Sequence, residues 1–188
     1  STASGMFRTS EQLGVATGTG KFTQLDADGG GLFAGGTFSG MLSDGTIPVG
    51  NIGAVLSRFA YQNSGFTPSW TNAAGFPVSI DAFSADSEGN VVASFQLSTF
   101  TDFGGGDVGT NGSNFALAAF DPAGKHLWSR TTDVVVNSVD AFAGSLLAAG
   151  IYFGANAAAD GATPFGTGAA FPPGGQGVFL GRLERIPF

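Results

Sequence analysis

A period of roughly 60 residues runs through the 188-residue chain and restricts the folds that it can adopt. Trp70 and Trp128 are separated by one such period. The same spacing separates three aspartates that each lie in a glycine-rich connection: Asp44, Asp102 and Asp160. Several markers at one period predict three copies of a unit, and units of this size stack on one another because none buries a core alone.

The middle copy indicates what each unit contains. Runs of apolar, β-branched and aromatic residues predict four strands, SIDAFSA, VVASFQL, FALAAF and HLWSRTT, at residues 79–85, 91–97, 115–120 and 126–132. DSEGN and DPAGK are typical of tight turns, the second with Gly124 at a positive φ, and a glycine-rich polar loop separates the two hairpins. No segment has helical periodicity, so the sequence predicts an all-β chain.

The outer copies repeat parts of this pattern. AVLSRF (54–59) and VFLGRL (178–183) resemble FALAAF and predict the third strand of their units. IDAFSA at 80–85 recurs about one period later as VDAFAG at 139–144. RTSE at 8–11 matches RTTD at 130–133, so Met6–Glu11 is predicted to be a fourth strand that precedes the first complete unit.

The third copy ends after its own third strand, at LERIPF. The N-terminal strand can therefore complete the last unit and remove an open sheet edge. This organisation predicts one domain over residues 1–188, with units at about 12–70, 71–133 and 134–188, the last completed by residues 5–11.

The middle copy resembles the SBBP-type β-propeller repeats of bacterial proteins. The resemblance is carried by the turn aspartates and glycines, the Asp-Phe-Gly-Gly segment and the Trp-Ser pair: Asp86, Gly89, Asn90, Asp102, Phe103, Gly104, Gly105, Asp121, Gly124, Trp128 and Ser129. It implies a β-propeller of three four-stranded blades and an extracytoplasmic setting, whether secreted, periplasmic or cell-surface. It brings no catalytic motif, and the outer two copies match it less closely.

Three blades are fewer than the four to eight that propellers contain. The apolar faces of the first and last blades would be costly to leave in water. We therefore expect the chain to be half of a six-bladed ring, completed by a second copy in a homodimer. Pairing with another propeller chain, or with the remainder of a longer protein, is the alternative.

Composition excludes several classes of function. The net charge is −7 and the seven Lys and Arg residues do not cluster, which disfavours nucleic-acid binding. No apolar run is long enough to cross a membrane as a helix. The chain has no cysteine and one histidine, His126, so thiol catalysis and His- or Cys-based metal sites are not expected. His126 is expected to support a strand end, and the chain is expected to be non-enzymatic and to need no cofactor.

Asp44, Asp102 and Asp160 are the candidate ligand-binding residues. Equivalent places in a propeller put them on one face, where carboxylates can bind a cation or sugar hydroxyls. The alternative is that each caps a turn. The main functional hypothesis is a binding or assembly module with a surface protein as a possible partner, and a glycan-binding, lectin-like propeller is the alternative.

Other residues are candidates for more limited roles. Phe165 and Phe171, in the long third connection, are candidates for an interface or a lid across the ring. Asp26 and Asp28 are oxygen-rich like a calcium loop, but a hairpin turn is the better interpretation because the loop pattern is incomplete. Arg58 and Arg182 match in the third strand, where the middle copy has Ala119.

Overall fold

A computed structural model describes residues 15–28, 30–42, 48–62, 65–72, 78–98, 100–109, 115–132, 134–142, 145–153 and 176–184. The described residues form thirteen strands and no helix, so the all-β prediction is confirmed. Within these ranges no helix is long and apolar enough to cross a membrane.

Eleven of the thirteen described strands form three antiparallel sheets in chain order. Sheet I contains β1 (Val15–Ala27), β2 (Gly31–Leu42), β3 (Pro48–Gln62) and β4 (Gly65–Asn72). Sheet II contains β5 (Val78–Ala85), β6 (Val91–Leu97), β9 (Phe115–Phe120) and β10 (His126–Thr132). Sheet III contains β11 (Val134–Phe142), β12 (Ser145–Phe153) and β13 (Gln176–Glu184).

The loop between β6 and β9 differs from the prediction. It contains two additional strands, β7 (Thr101–Asp102) and β8 (Asp107–Val108), which pair as a small hairpin. The four strands predicted for the middle copy coincide with β5, β6, β9 and β10 to within one residue. Gly124 has a φ of 81°, as its turn requires.

Sheet II is buried on both faces. Because side chains alternate along a strand, Val91 and Ala93 of β6 pack towards sheet I while Val92 packs towards sheet III. In β9, Ala118 packs towards sheet I and Leu117 towards sheet III. Short continuous apolar runs such as VVASF and FALAAF are typical of strands that are covered on both sides.

The three sheets stack face to face with sheet II in the middle. β5 packs against β1, β2 and β3, and β11 packs against β5, β6 and β9. The first strand of each following sheet therefore makes the contact with the sheet before it. Apolar side chains fill both interfaces, and the larger ones include Phe33, Leu56, Phe83, Phe95 and Phe120 in the first and Leu117, Val136, Val139, Leu146 and Phe179 in the second.

Each first strand has a β-bulge at an equivalent place. The register shifts leave Thr23 in β1, Asp81 in β5 and Asn137 in β11 without an opposite residue. The bulges at Asp81 and Asn137 are closer together in sequence than the matched segments IDAFSA and VDAFAG are. The sequence match between β5 and β11 was therefore three residues out of structural register.

The predicted N-terminal strand Met6–Glu11 lies outside the described residues. Within the described ranges sheet III has three strands, and β13 pairs with β12 along one edge.

Candidate functional site

Asp102 lies in β7 and organises the glycine-rich loop that follows. Its Oδ1 accepts hydrogen bonds from the N–H groups of Gly104 and Gly106, at 2.7 and 2.9 Å. Gly104 and Gly106 have φ values of 108° and 101°, which favour glycine. Phe103 is buried and packs against Phe95 with ring centroids 4.7 Å apart, so the loop is anchored to the core.

The Asp102 carboxylate is held in its charged form. Hydrogen bonds from the Gly104 and Gly106 N–H groups lower the pKa of Asp102 below its usual value. These bonds give Asp102 the turn-capping role that was the alternative to ligand binding. The Asp102 side chain is nevertheless exposed.

His126 lies directly beneath this loop. A Cβ placed on Gly105 would overlap the His126 imidazole, so glycine is what lets the backbone approach the ring. The ring also packs edge-on against Phe120, with centroids 6.2 Å apart. Its Nε2 is buried and has no hydrogen-bond partner among the described residues. These contacts fit the expected role of His126 in supporting a strand end.

The other predicted site residues, Asp44, Asp160, Phe165 and Phe171, lie outside the described residues. Over the described part of the chain, no group of three His, Cys, Asp or Glu side chains could hold a metal ion.

Asp28 forms an ion pair, not a cation loop. Its Oδ1 accepts from the Gly30 N–H at 2.8 Å, and its Oδ2 is 2.7 Å from the Arg58 guanidinium. The Asp28 side chain is only 3% exposed. Burial opposes its ionisation, but the Gly30 hydrogen bond and the Arg58 charge outweigh that effect and lower the pKa of Asp28. The hairpin-turn interpretation is confirmed for this residue.

This ion pair lies against the turns of sheet II. Gly89 packs on the Asp28 carboxylate, because a Cβ there would come within 2.7 Å of Oδ2. Nearby, the Trp70 indole N–H donates to the Pro122 carbonyl at 3.0 Å. The ends of sheets I and II are therefore joined by polar contacts as well as by the apolar core.

Arg182 of β13 occupies the position of Arg58 in β3. Arg58 lies opposite Phe33 of β2, and Arg182 lies opposite Leu147 of β12, so each pairs with the second strand of its sheet. Arg182 donates to Ser145 Oγ at 3.4 Å, and its guanidinium carbon lies 5.8 Å from the centre of the Phe142 ring. The Arg182 side chain is exposed, whereas Ala119 at the middle position is buried under sheet III.

Side chains of β1 satisfy the backbone of β5. The Gln24 Oε1 accepts from the Phe83 N–H at 3.1 Å, and the Gln24 amide donates to the Asp81 carbonyl. The Asp26 Oδ2 accepts from the Ala85 N–H at 2.7 Å. Because β5 is an edge strand within sheet II, these side chains pair polar groups that the sheet itself leaves open.

The same arrangement joins sheets II and III. The Ser84 Oγ accepts from the Ala141 N–H at 3.1 Å, and the Ser94 hydroxyl donates to the Val136 carbonyl at 2.7 Å. The two acceptors, Asp26 and Ser84, each lie three residues after the bulge of their own strand. The two donors, Ala85 and Ala141, each lie four residues after the bulge of theirs. A hydrogen bond between consecutive first strands is thus repeated at the two interfaces.

Each end of the stack has an outer face. The outer face of sheet III is the side away from sheet II. It carries Asp140, Leu147, Ala149, Val178, Leu180 and Arg182. Of these, Val178 is 84% exposed and Leu180 is 79% exposed. The outer face of sheet I carries Leu25, Ala34, Val55 and Phe59; its centre is buried, but Leu25 is 66% exposed.

Sequence reasoning missed Asp26, Ser84 and Asp140 as a related set. The three side chains differ in chemistry, so their residue types do not mark them as equivalent. Only their equal spacing from the bulge of each first strand does. The repeat of the apolar third strand was the one signal that pointed to equivalent sheet faces.

A comparison with models of protein families and with curated proteins found no match to this chain.

Proposed function

We propose that the chain is a non-enzymatic assembly module that builds half of a β-propeller ring and completes it by pairing with a second copy. The observation that carries this proposal is the stack of three sheets with equivalent interfaces. Within the described residues each sheet presents one face to the next in chain order, and apolar side chains stay exposed at both ends of the series: Val178 and Leu180 on sheet III and Leu25 on β1. A ring of such sheets would bury them.

Exposed apolar side chains on the sheet III face support the assembly step. Val178 and Leu180 lie next to each other on one strand face, with Ile151 and Ala149 opposite them on β12. Contiguous apolar surface of this kind is characteristic of a contact site. A closed two-fold dimer is the commonest way to cover it.

Size-exclusion chromatography with light scattering at micromolar concentration tests the proposal. The expected mass is twice that of one chain. A stable monomer would overturn the proposal, and a higher species would replace the six-sheet ring with another closure.

An extracytoplasmic location is part of the proposal and rests on the resemblance of the middle copy to SBBP-type repeats. The glycan-binding alternative has weaker support, because the described candidate carboxylate, Asp102, already accepts two backbone hydrogen bonds. A glycan array without hits would remove it.

A further inference from the structure

We infer that the outer face of sheet III binds strand β1 of a second copy, in the way that sheets I and II bind β5 and β11. This inference rests on the proposed assembly function and adds to it the contact surface and its polarity. Three equivalences between the described sheets carry it.

The first equivalence concerns a leucine in the third strand of each sheet. Leu56, Leu117 and Leu180 occupy one position, because they pair with Gly35, Ser94 and Ala149 at the same distance from the bulge. Leu56 is 2% exposed and Leu117 is 0% exposed, and both lie in the interface with the following sheet. Among the described residues no sheet follows sheet III, and Leu180 is 79% exposed.

The second equivalence concerns the first strands. Leu25, Phe83 and Val139 each stand two residues after a bulge, and each pairs with an alanine. Phe83 is 8% exposed and Val139 is 9% exposed, since both are covered by the preceding sheet. Leu25 belongs to the first sheet and is 66% exposed. Leu25 is therefore an uncovered side chain at the sheet I end of the stack. The sheet III end has the kind of face that covers the equivalent side chains, Phe83 and Val139, within this chain.

The third equivalence is polar. Asp26 and Ser84 accept the N–H groups of Ala85 and Ala141 in the following sheet. Asp140 stands at the corresponding place of sheet III, and it is exposed. At the other end, the Ala27 N–H corresponds to the two donors and bonds to the adjacent Asp26 Oδ1 at 2.8 Å on the surface. An acceptor at one end thus matches a donor at the other.

These matches identify the occupant as a second copy of the chain. The two outer faces are unlike, so sheet III of one copy is complementary to β1 of another and not to itself. In a closed dimer the contact occurs twice, once in each direction. Leu25 would then lie over Ala149, as Phe83 lies over Gly35 in the first interface.

The test uses two variants of the full chain, Leu25→Asp and Leu180→Asp. Both side chains are exposed, so each variant is expected to keep the far-ultraviolet circular dichroism and melting temperature of the monomer fold. Each variant alone is expected to lose the dimer at micromolar concentration, because the contact occurs twice and both occurrences are disrupted. An equimolar mixture is expected to recover a dimer, since the contact between unmodified faces remains once.

Phe100→Asp is the matched control, because Phe100 is 56% exposed and lies outside both faces. It is expected to leave the dimer intact. Asp140→Ala is expected to weaken the dimer less than Leu180→Asp does.

Other results would overturn the inference. If the wild type is a dimer and only Leu180→Asp disrupts it, sheet III pairs with itself and the inferred contact is wrong. If the wild type is a dimer and neither variant disrupts it, the contact lies elsewhere, although the proposed assembly function survives. A monomeric wild type would contradict both the inferred contact and the proposed assembly function.

Discussion

Gly36 and Gly150 lie opposite the residues that precede the bulges of sheets I and III. Gly36 pairs with Phe22 and Gly150 with Val136. A Cβ on Gly36 would overlap the Lys21 carbonyl oxygen, and one on Gly150 would overlap the Val135 carbonyl oxygen. Both obstacles are backbone atoms, which cannot rotate away as a side chain can. In sheets I and III the bulged first strand therefore leaves no room for a side chain at these two places, whereas the corresponding residue of sheet II, opposite Ile80, is Phe95.

Gly36→Ala is expected to lower the free energy of unfolding by about 2 kcal/mol, as insertion of a methyl group into a packed site does. Urea denaturation followed by tryptophan fluorescence measures this change. Gly30→Ala is the control, because the nearest atoms to a Cβ at Gly30 are 3.8 Å away, and its effect should stay within about 0.5 kcal/mol. Equal effects of the two substitutions would contradict the explanation.

Asp28 links the stability of the chain to acid pH. Its folded pKa is lowered, so its stabilising contribution is fully present above the unfolded pKa of about 3.9 and is lost as pH falls through the folded pKa. Asp28→Asn is therefore expected to cost about 2 kcal/mol near neutral pH, since a charged hydrogen bond to Arg58 is lost. The difference from wild type should shrink near pH 3 in urea denaturation.

Asp81→Asn is the contrasting substitution. Burial raises the pKa of Asp81, and a hydrogen bond from Ser79 only partly opposes that effect. Its ionised form is therefore unfavourable in the folded chain at neutral pH, and the neutral amide is expected to stabilise the fold there. If Asp28→Asn and Asp81→Asn shift stability in the same direction at neutral pH, the assigned pKa directions are wrong.

At the scale of the strands and their turns, the two hairpins of sheet II use one turn design with different burial. Asp86 Oδ1 accepts from the N–H groups of Glu88 and Asn90, and Oδ2 accepts from the Asn90 side chain. Asp121 Oδ1 accepts from the Ala123 and Lys125 N–H groups. Asp86 is buried, whereas the bonds of Asp121 are exposed.

Asp86→Ala is expected to cost roughly 2–3 kcal/mol, because it leaves buried donors without partners. Asp121→Ala should cost about 1 kcal/mol or less, since water can replace the carboxylate at an exposed turn. Thermal unfolding of the two variants, compared with wild type, measures the difference. A larger effect of Asp121→Ala would show that burial does not govern the contribution of these turns.

Local pattern was sufficient to predict most of sheet II. β5, β6, β9 and β10 follow from apolar runs bounded by Asp-x-x-Gly turns, which have short-range causes. The bulges did not follow from the sequence, because Thr23, Asp81 and Asn137 share no side-chain chemistry. Their position depends on pairing with the second strand, and the IDAFSA match consequently placed β11 three residues out of register.

The site was less predictable than the strands. Asp102 was identified by its spacing, but its bonds to Gly104 and Gly106 depend on the conformation of the β7–β8 hairpin, which the polar composition of the loop did not reveal. The link from Asp26 to Ala85 joins two residues that are far apart in the chain and depends on the stacking of two sheets. Local sequence carries no signal for such a contact.

At the scale of the whole molecule, burial is distributed unevenly over the stack. Sheet II is covered by sheets I and III, and the strands β6 and β9 contain fully buried residues on both faces. β13 exposes Val178 and Leu180, and β1 exposes Leu25. Resistance to local opening follows buried apolar contact, so the middle sheet should be the most stable part of the described chain.

Hydrogen exchange measured by mass spectrometry tests this distribution. Peptides from β6 and β9 are expected to exchange most slowly, and only through global unfolding, because opening either strand exposes two apolar interfaces at once.

Peptides from β1 and β13 are expected to exchange faster in dilute solution and to become protected as the protein concentration rises, since β1 of one copy covers sheet III of another in the inferred dimer. Leu180→Asp should abolish this concentration dependence and leave β6 and β9 unchanged. Protection that rises uniformly with concentration would contradict a contact restricted to the two ends, and protection in β13 without protection in β1 would show that the two faces do not meet.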